Sequence, residues 1–242
     1  MRRFTLLVLL TMATTSQADT TVFTSGDTQV PLIELYTSEG CSSCPPAERW
    51  LNSLSDHDGL WTEFVPVAFH VDYWDYIGWE DRFAKSEYSQ RQRNYIRQGA
   101  ARAVYTPGVF SNGDEWLRWR RLEQPPVGKP SIGQLSVSVS DQQVAVFFTA
   151  DKKEGNFTVS VSLLGSGLTT EVKAGENRGK SLSHDFVVLG MNSARLEPTA
   201  AGYKALLTLP ETTETQGNRA IAAWVSPAGQ LAPIQATGGY LP

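Results

Sequence analysis

Apolar and polar positions alternate differently in the two halves of the chain. Pro31 to Tyr36 is largely apolar and predicts a short buried strand. Ala47, Trp50, Leu51 and Leu54 then recur at helical spacing, and Phe64 to Val71, rich in valine and aromatics, predicts a second buried strand. A polar, arginine-rich stretch from Asp81 to Gln98 carries Ala84, Tyr88 and Tyr95 at roughly helical intervals, and Val104 to Asn112 reads as extended chain before an Asn112-Gly113 turn. This order of strands and helices predicts an α/β layer around a small sheet.

The pattern changes after Gln124. Three prolines and a glycine between Gln124 and Pro130 disfavour both helix and central strand, so a linker is expected at residues 125–131. Beyond it, Leu135, Val137 and Val139 alternate with serines, Val144 to Phe148 follows, and Phe157, Val159, Val161 and Leu163 alternate again. Turn signals at Asp141, Gly155 and Gly165 separate these runs, which predicts a mostly antiparallel β domain over 132–242.

Residues 1–18 have the form of a secretory signal. Met1, Arg2 and Arg3 precede a short apolar run from Phe4 to Ala13, and small Ser16 and Ala18 predict cleavage after Ala18. Residues 19–30 then form an N-terminal extension to a domain spanning 31–124. The formal net charge of −4 becomes more negative once Arg2 and Arg3 are removed. Such a balance gives no footprint for nucleic acid or anionic lipid, and no later stretch is long and apolar enough to span a bilayer.

Export implies an oxidising compartment, yet the chain has 2 cysteines, Cys41 and Cys44, separated by Ser42 and Ser43. A crosslink between such near neighbours closes almost no loop and stabilises little, so chemistry explains the pair better than stability does. Between a strand and a helix, Cys41 meets the partial positive charge of unpaired backbone N–H groups, which favours the attacking thiolate; Cys44 would resolve the mixed disulfide. Pro45 pushes Cys44 away from α geometry, so regular helix is expected to begin nearer Pro46. Glu39 disfavours a thiolate nearby, and Arg49 could offset it.

The segment IELYTSEGCSSCPPAE resembles the active-site strand, turn and helix start of glutaredoxin- and thioredoxin-like proteins. The resemblance implies that Thr106-Pro107, in VYTPGVFSNG, has a cis peptide bond and that the two residues position a substrate strand beside Cys41. Between these motifs lies HVDYWDYIGWEDRF, His70 to Phe83, whose aromatics form either a lid, a recognition surface or a satellite core. His70 is a candidate base, metal ligand or core histidine, and Asp72 a candidate proton acceptor or loop cap. His57 and His184 have no comparable context, and Glu176, Asn177 and Arg178 read as a solvated loop.

Together these motifs, and more weakly KAGENRGKSLSHDFVV from Lys173 to Val188, resemble a family of exported bacterial proteins with a thioredoxin-like fold and no assigned activity. The expected fold is therefore an α/β thioredoxin-like domain followed by a mostly antiparallel β-sandwich-like domain. The expected function is thiol–disulfide exchange with a protein or small thiol, in the periplasm or outside the cell. It uses Cys41 and Cys44, with Thr106 and Pro107 positioning the partner, His70, Asp72 and Glu39 as auxiliaries, and no cofactor beyond the dithiol. Two other readings stay open. One is an envelope metal-binding protein in which Cys41, Cys44 and His70 hold copper as Cu(I); the other is a non-catalytic binding module built on the β domain.

Overall fold

A computed structural model describes residues 19–26, 28–121, 124–126, 128–129, 133–150 and 155–242. The expected signal segment, 1–18, lies outside the described residues. The first part of the chain contributes strands β1 (Thr21–Thr24), β2 (Leu32–Thr37), β3 (Val65–His70), β4 (Gly108–Ser111) and β5 (Asp114–Glu115), with helices α1 (Pro45–Asn52) and α2 (Ser86–Arg97). After residue 132 come β6 (Gly133–Ser140), β7 (Gln143–Ala150), β8 (Phe157–Ser166), β9 (Leu168–Glu171) and β10 (Ser181–His184). The series ends with β11 (Val187–Arg195), β12 (Glu197–Pro198), β13 (Tyr203–Thr208), β14 (Asn218–Pro227) and β15 (Gln235–Tyr240).

These strands form an eight-stranded mixed sheet in the order β15-β14-β8-β11-β3-β2-β4-β5. A five-stranded sheet has the order β1-β6-β7-β13-β12, and β9 and β10 form a two-stranded ribbon. The fold is therefore strand-dominated, and the expectation of an α/β thioredoxin-like domain followed by a β-sandwich-like domain is corrected. The reason lies at the outer edge of β3. Its backbone groups need partners, and Ala68 donates its N–H to the Phe186 carbonyl at 2.8 Å as β11 pairs parallel to β3. The first strands thus become one end of a large sheet, accompanied among the described residues by two short α-helices.

Local expectations fared better than the global one. β2 and β3 run parallel, connected through α1, and the Asn112-Gly113 turn joins β4 to β5 with φ of 49° and 89°. The main departure is α2, which begins at Ser86 rather than near Asp81. Asp81 is occupied elsewhere, accepting the N–H groups of Glu39 and Phe83.

Alternation on the central strands explains the layers. Ile33 and Leu35 of β2 face Ala47, Trp50, Leu51 and Leu54, whereas Leu32 and Tyr36 join Tyr88 and Tyr95 of α2. On β14, Ala220, Ala222 and Trp224 belong to that same α2-facing core, while Ile221, Ala223 and Val225 face the five-stranded sheet. Both faces of β2 and β14 are thus covered, as a strand buried on each side requires.

One charged pair lies within the α2-facing core. Arg91 Nε donates to Glu34 Oε2 at 2.8 Å, and the hydroxyls of Tyr36 and Tyr95 also donate to this carboxylate. The Arg91 guanidinium lies over Phe69, Tyr95 and Trp224. Burial and the Glu34 charge push both tyrosine hydroxyls well above their ordinary pKa. Arg91→Met should cost about 3–5 kcal/mol, because it strands a buried carboxylate. Guanidinium unfolding at pH 7 checks this; a loss below about 1 kcal/mol would show that the pair can be broken without leaving Glu34 unpaired.

Candidate functional site

The turn after β2 carries both cysteines, and Cys41 and Cys44 are joined as a disulfide with Cα atoms 5.4 Å apart. Contrary to the expectation from Pro45, Cys44 is helical (φ −77°, ψ −35°) and caps α1, with Pro45 as its first residue. Proline is tolerated there because its missing N–H would have no intrahelical partner anyway. The Cys44 carbonyl accepts from Ala47 and Glu48, at 2.9 and 3.1 Å. Both cysteines are buried, and Ser43 Oγ lies 3.3 Å from Cys41 Sγ. Arg49 is exposed on α1.

The loop between β9 and β10 closes over this turn. Asn177 is fully buried, and its side-chain amide donates to the Glu39 and Cys41 carbonyls at 2.8 and 2.9 Å. Glu176 accepts from the Ser42 N–H at 3.0 Å, and its hydrogen bonds from Ser42 hold its carboxyl below the usual range. Lys180 Nζ donates to Asn177 Oδ1. The reading of Glu176, Asn177 and Arg178 as a solvated loop holds for exposed Glu176 and Arg178 and is corrected at Asn177; a lone hydrophilic turn gives no local sign of a partner 136 residues away. Its only signal was the weak family likeness of Lys173–Val188.

Beside the turn is a buried set of histidines and carboxylates: Glu39, Glu48, His70, Asp81 and His184. His70 ends β3 and directs Nδ1 to Asp81 Oδ2 at 2.7 Å, while its Nε2 has no hydrogen-bond partner. His184, at the end of β10, lies between two carboxylates, with Nδ1 2.9 Å from Glu48 Oε2 and Nε2 3.3 Å from Glu39 Oε1. Neither contact has hydrogen-bond angles, so both are ion pairs by distance. The two imidazole rings cross at 77° with centroids 5.2 Å apart. Asn52, the last residue of α1, donates to the Ser183 carbonyl and accepts from the Asp185 N–H, which fixes the strand carrying His184.

Burial opposes a charged His184, yet Glu48 and Glu39 more than offset it and raise its pKa to about 10. Burial likewise opposes ionised Glu48 and Asp81, but neighbouring imidazoles and donated hydrogen bonds hold both carboxyls below their usual range. Thr37 donates to Glu48, and Trp79 Nε1 donates to Glu39 Oε2 at 2.7 Å. Ligand atoms of Glu48, His70 and His184 lie within 4.8 Å of one another, and these three are the metal-capable group among the described residues.

The remaining candidates lie on the aromatic insertion and the strand beyond it. The Thr106-Pro107 bond is cis, immediately before β4. Trp74 Nε1 donates to Thr106 Oγ1 at 2.7 Å, and a Cβ at Gly40 would come within 3.1 Å of Trp74 Cβ, so one indole reaches from the cysteine turn to Thr106. Tyr73 and Trp74 pack on the core, whereas Tyr76 is exposed. Asp72 is tied to α2, accepting from the Ser89 hydroxyl. His70 contacts Asp81, Phe83 and His184. Glu48, Asp81 and His184 were not singled out from sequence; only folding brings them to the turn.

The fold and site thus define a strand-dominated protein with a short, loop-clamped disulfide next to a buried histidine–carboxylate cluster. The chain belongs to the family described as a protein of unknown function, DUF1223, which matches residues 32–226. A crystal structure of a protein from Agrobacterium tumefaciens, solved by the Northeast Structural Genomics Consortium, is similar at 25% identity and a TM-score of 0.60. That match covers 88% of this chain and 94% of the other. HBP35 of Porphyromonas gingivalis shares the fold at 12% identity and a TM-score of 0.60, covering 90% of this chain and 76% of that one. No curated protein matches the chain. No helix among the described residues is long and apolar enough to cross a membrane.

Asn177→Ala should destabilise the protein by about 1–3 kcal/mol, because the Glu39 carbonyl loses its donor and the Cys41 carbonyl keeps only that of Cys44. Urea unfolding measures this, and an effect under about 0.5 kcal/mol would mean that the loop does not clamp the turn. His184 should give a pH signature of defined sign. Its pKa rises from about 6.5 in the unfolded chain to about 10 when folded, so its contribution is full below the first value and lost as pH rises through the second. The stability difference between the parent and His184→Gln, measured with chelator from pH 6 to 10, should shrink steadily. A difference that does not change with pH would contradict the charged assignment.

Proposed function

We propose that the Cys41–Cys44 disulfide is redox-active and exchanges with protein or small-molecule thiols. The observation that carries this reading is a disulfide between residues 41 and 44 at the first turn of α1. A ring this small removes little entropy from the unfolded chain, so it is a poor staple. The cycle balances as follows. A partner thiolate attacks Cys41 Sγ, the S–S bond breaks, and Cys44 departs as a thiolate that takes up a proton. A second partner thiolate then attacks the mixed disulfide at the partner's sulfur, releasing Cys41 and an oxidised partner. In total two thiols become one disulfide while the protein gains two electrons and two protons; the reverse sequence oxidises the protein.

Thr106 and Pro107 receive the partner's backbone in this reading, supported by Trp74, which donates to Thr106 and lies close to Gly40 of the cysteine turn. An exported location, implied by the amino-terminal residues, supplies an oxidising environment in which the disulfide persists. Equilibration with glutathione buffers, read by thiol alkylation and mass, should give one two-electron transition. It should vanish in Cys44→Ser, leaving a mixed disulfide at Cys41. A pair that stays oxidised in the folded protein at every glutathione ratio would defeat the proposal and leave an inert clip.

A further inference from the structure

Beside the disulfide, the two buried imidazoles share an arrangement that an exchange reaction does not require. Each histidine turns one ring nitrogen to a carboxylate, His70 Nδ1 to Asp81 and His184 Nε2 to Glu39. This leaves His70 Nε2, which has no hydrogen-bond partner although the residue is 1% exposed, and His184 Nδ1, which faces Glu48 Oε2 at 2.9 Å. A carboxylate behind a ring nitrogen is the outer-shell pattern of histidines that bind metal. Thr37 steadies Glu48 by donating to its other oxygen, Oε1, so Oε2 is left for the shared centre.

We infer that Glu48, His70 and His184 form a binding site for a divalent transition-metal ion of the zinc class. Two imidazole nitrogens and one carboxylate oxygen are a donor set that such ions accept, with a further position open. Their ligand atoms already lie within 4.8 Å of one another. Tetrahedral donors about 2.0–2.1 Å from a zinc ion stand about 3.4 Å apart, so a contraction of about 1.4 Å at most completes the set. Charge points the same way: three buried carboxylates, Glu39, Glu48 and Asp81, surround two imidazoles. A dication entering here displaces a proton from His184, with Asp81 hydrogen-bonded behind the His70 ring and Glu39 facing His184 Nε2. The site uses neither cysteine, so it stands independently of the disulfide's redox role and differs from the Cu(I) set of Cys41, Cys44 and His70 considered from sequence.

The test uses the full chain with its disulfide intact, stripped with chelator and titrated with Zn²⁺ by calorimetry. One ion per chain is expected. Asp81→Asn should weaken binding by about 10–100-fold and His184→Gln by more, while the Cys41→Ser, Cys44→Ser double variant binds like the parent. Co²⁺ substitution of the unaltered chain should give visible ligand-field bands of a nitrogen–oxygen site, a readout that holds even where His184→Gln fails to fold. Substoichiometric Zn²⁺ binding, absent Co²⁺ bands, or a folded His184→Gln protein that binds as tightly as the parent would each overturn the assignment. Loss of binding in the double cysteine variant would overturn it in favour of a thiolate site.

Discussion

The parallel pairing of β11 against β3 is the constraint on which the rest of the molecule depends. It satisfies the exposed edge of β3 through the bond from Ala68 to Phe186 and extends the sheet to eight strands. It also has a chemical consequence. His184 precedes Phe186 by two residues, so the pairing anchors the end of β10 beside β3, where the His184 and His70 rings meet. Without it, His184 would not be held between Glu39 and Glu48.

Two charged networks are buried on the two sides of β2, and they solve the desolvation problem differently. Glu34 faces α2, where Arg91 and two tyrosine hydroxyls satisfy it. Its surroundings are closed and aromatic, which is the behaviour of a structural pair. The cluster beside Cys41 and Cys44 keeps unsatisfied atoms, among them His70 Nε2 and Glu39 Oε1. Unpaired buried polar atoms are costly, and their concentration next to the Cys41–Cys44 disulfide separates this cluster from the Glu34 pair.

The disulfide is held from both halves of the chain. α1 captures Cys44 as its cap, while Asn177, from the loop between β9 and β10, holds the carbonyl of Cys41. Asn52 and Asn177 therefore act as two pins joining the strand with His184 and its loop to α1 and to the cysteine turn. Any partner thiol that reaches the disulfide meets a surface made by distant segments, with Glu176 at its rim beside Ser42.

Much of the local structure could be read from the chain because short-range physics determined it. Apolar runs marked β2 and β3, helical spacing marked α1, and the need for positive φ marked the Asn112-Gly113 turn. The cysteine spacing sufficed to single out residues 41 and 44. The start of α2 was misplaced because Asp81 is drawn to His70 and Glu39, and the helical state of Cys44 was missed because the following proline spoke against it. What the sequence by itself determined was a set of strands, a helix start and a close cysteine pair. Sheet order, and with it the meeting of Glu48, His70, Asp81, Asn177 and His184, was decided only in three dimensions, because hydrogen bonds across a parallel edge carry no signal in local periodicity.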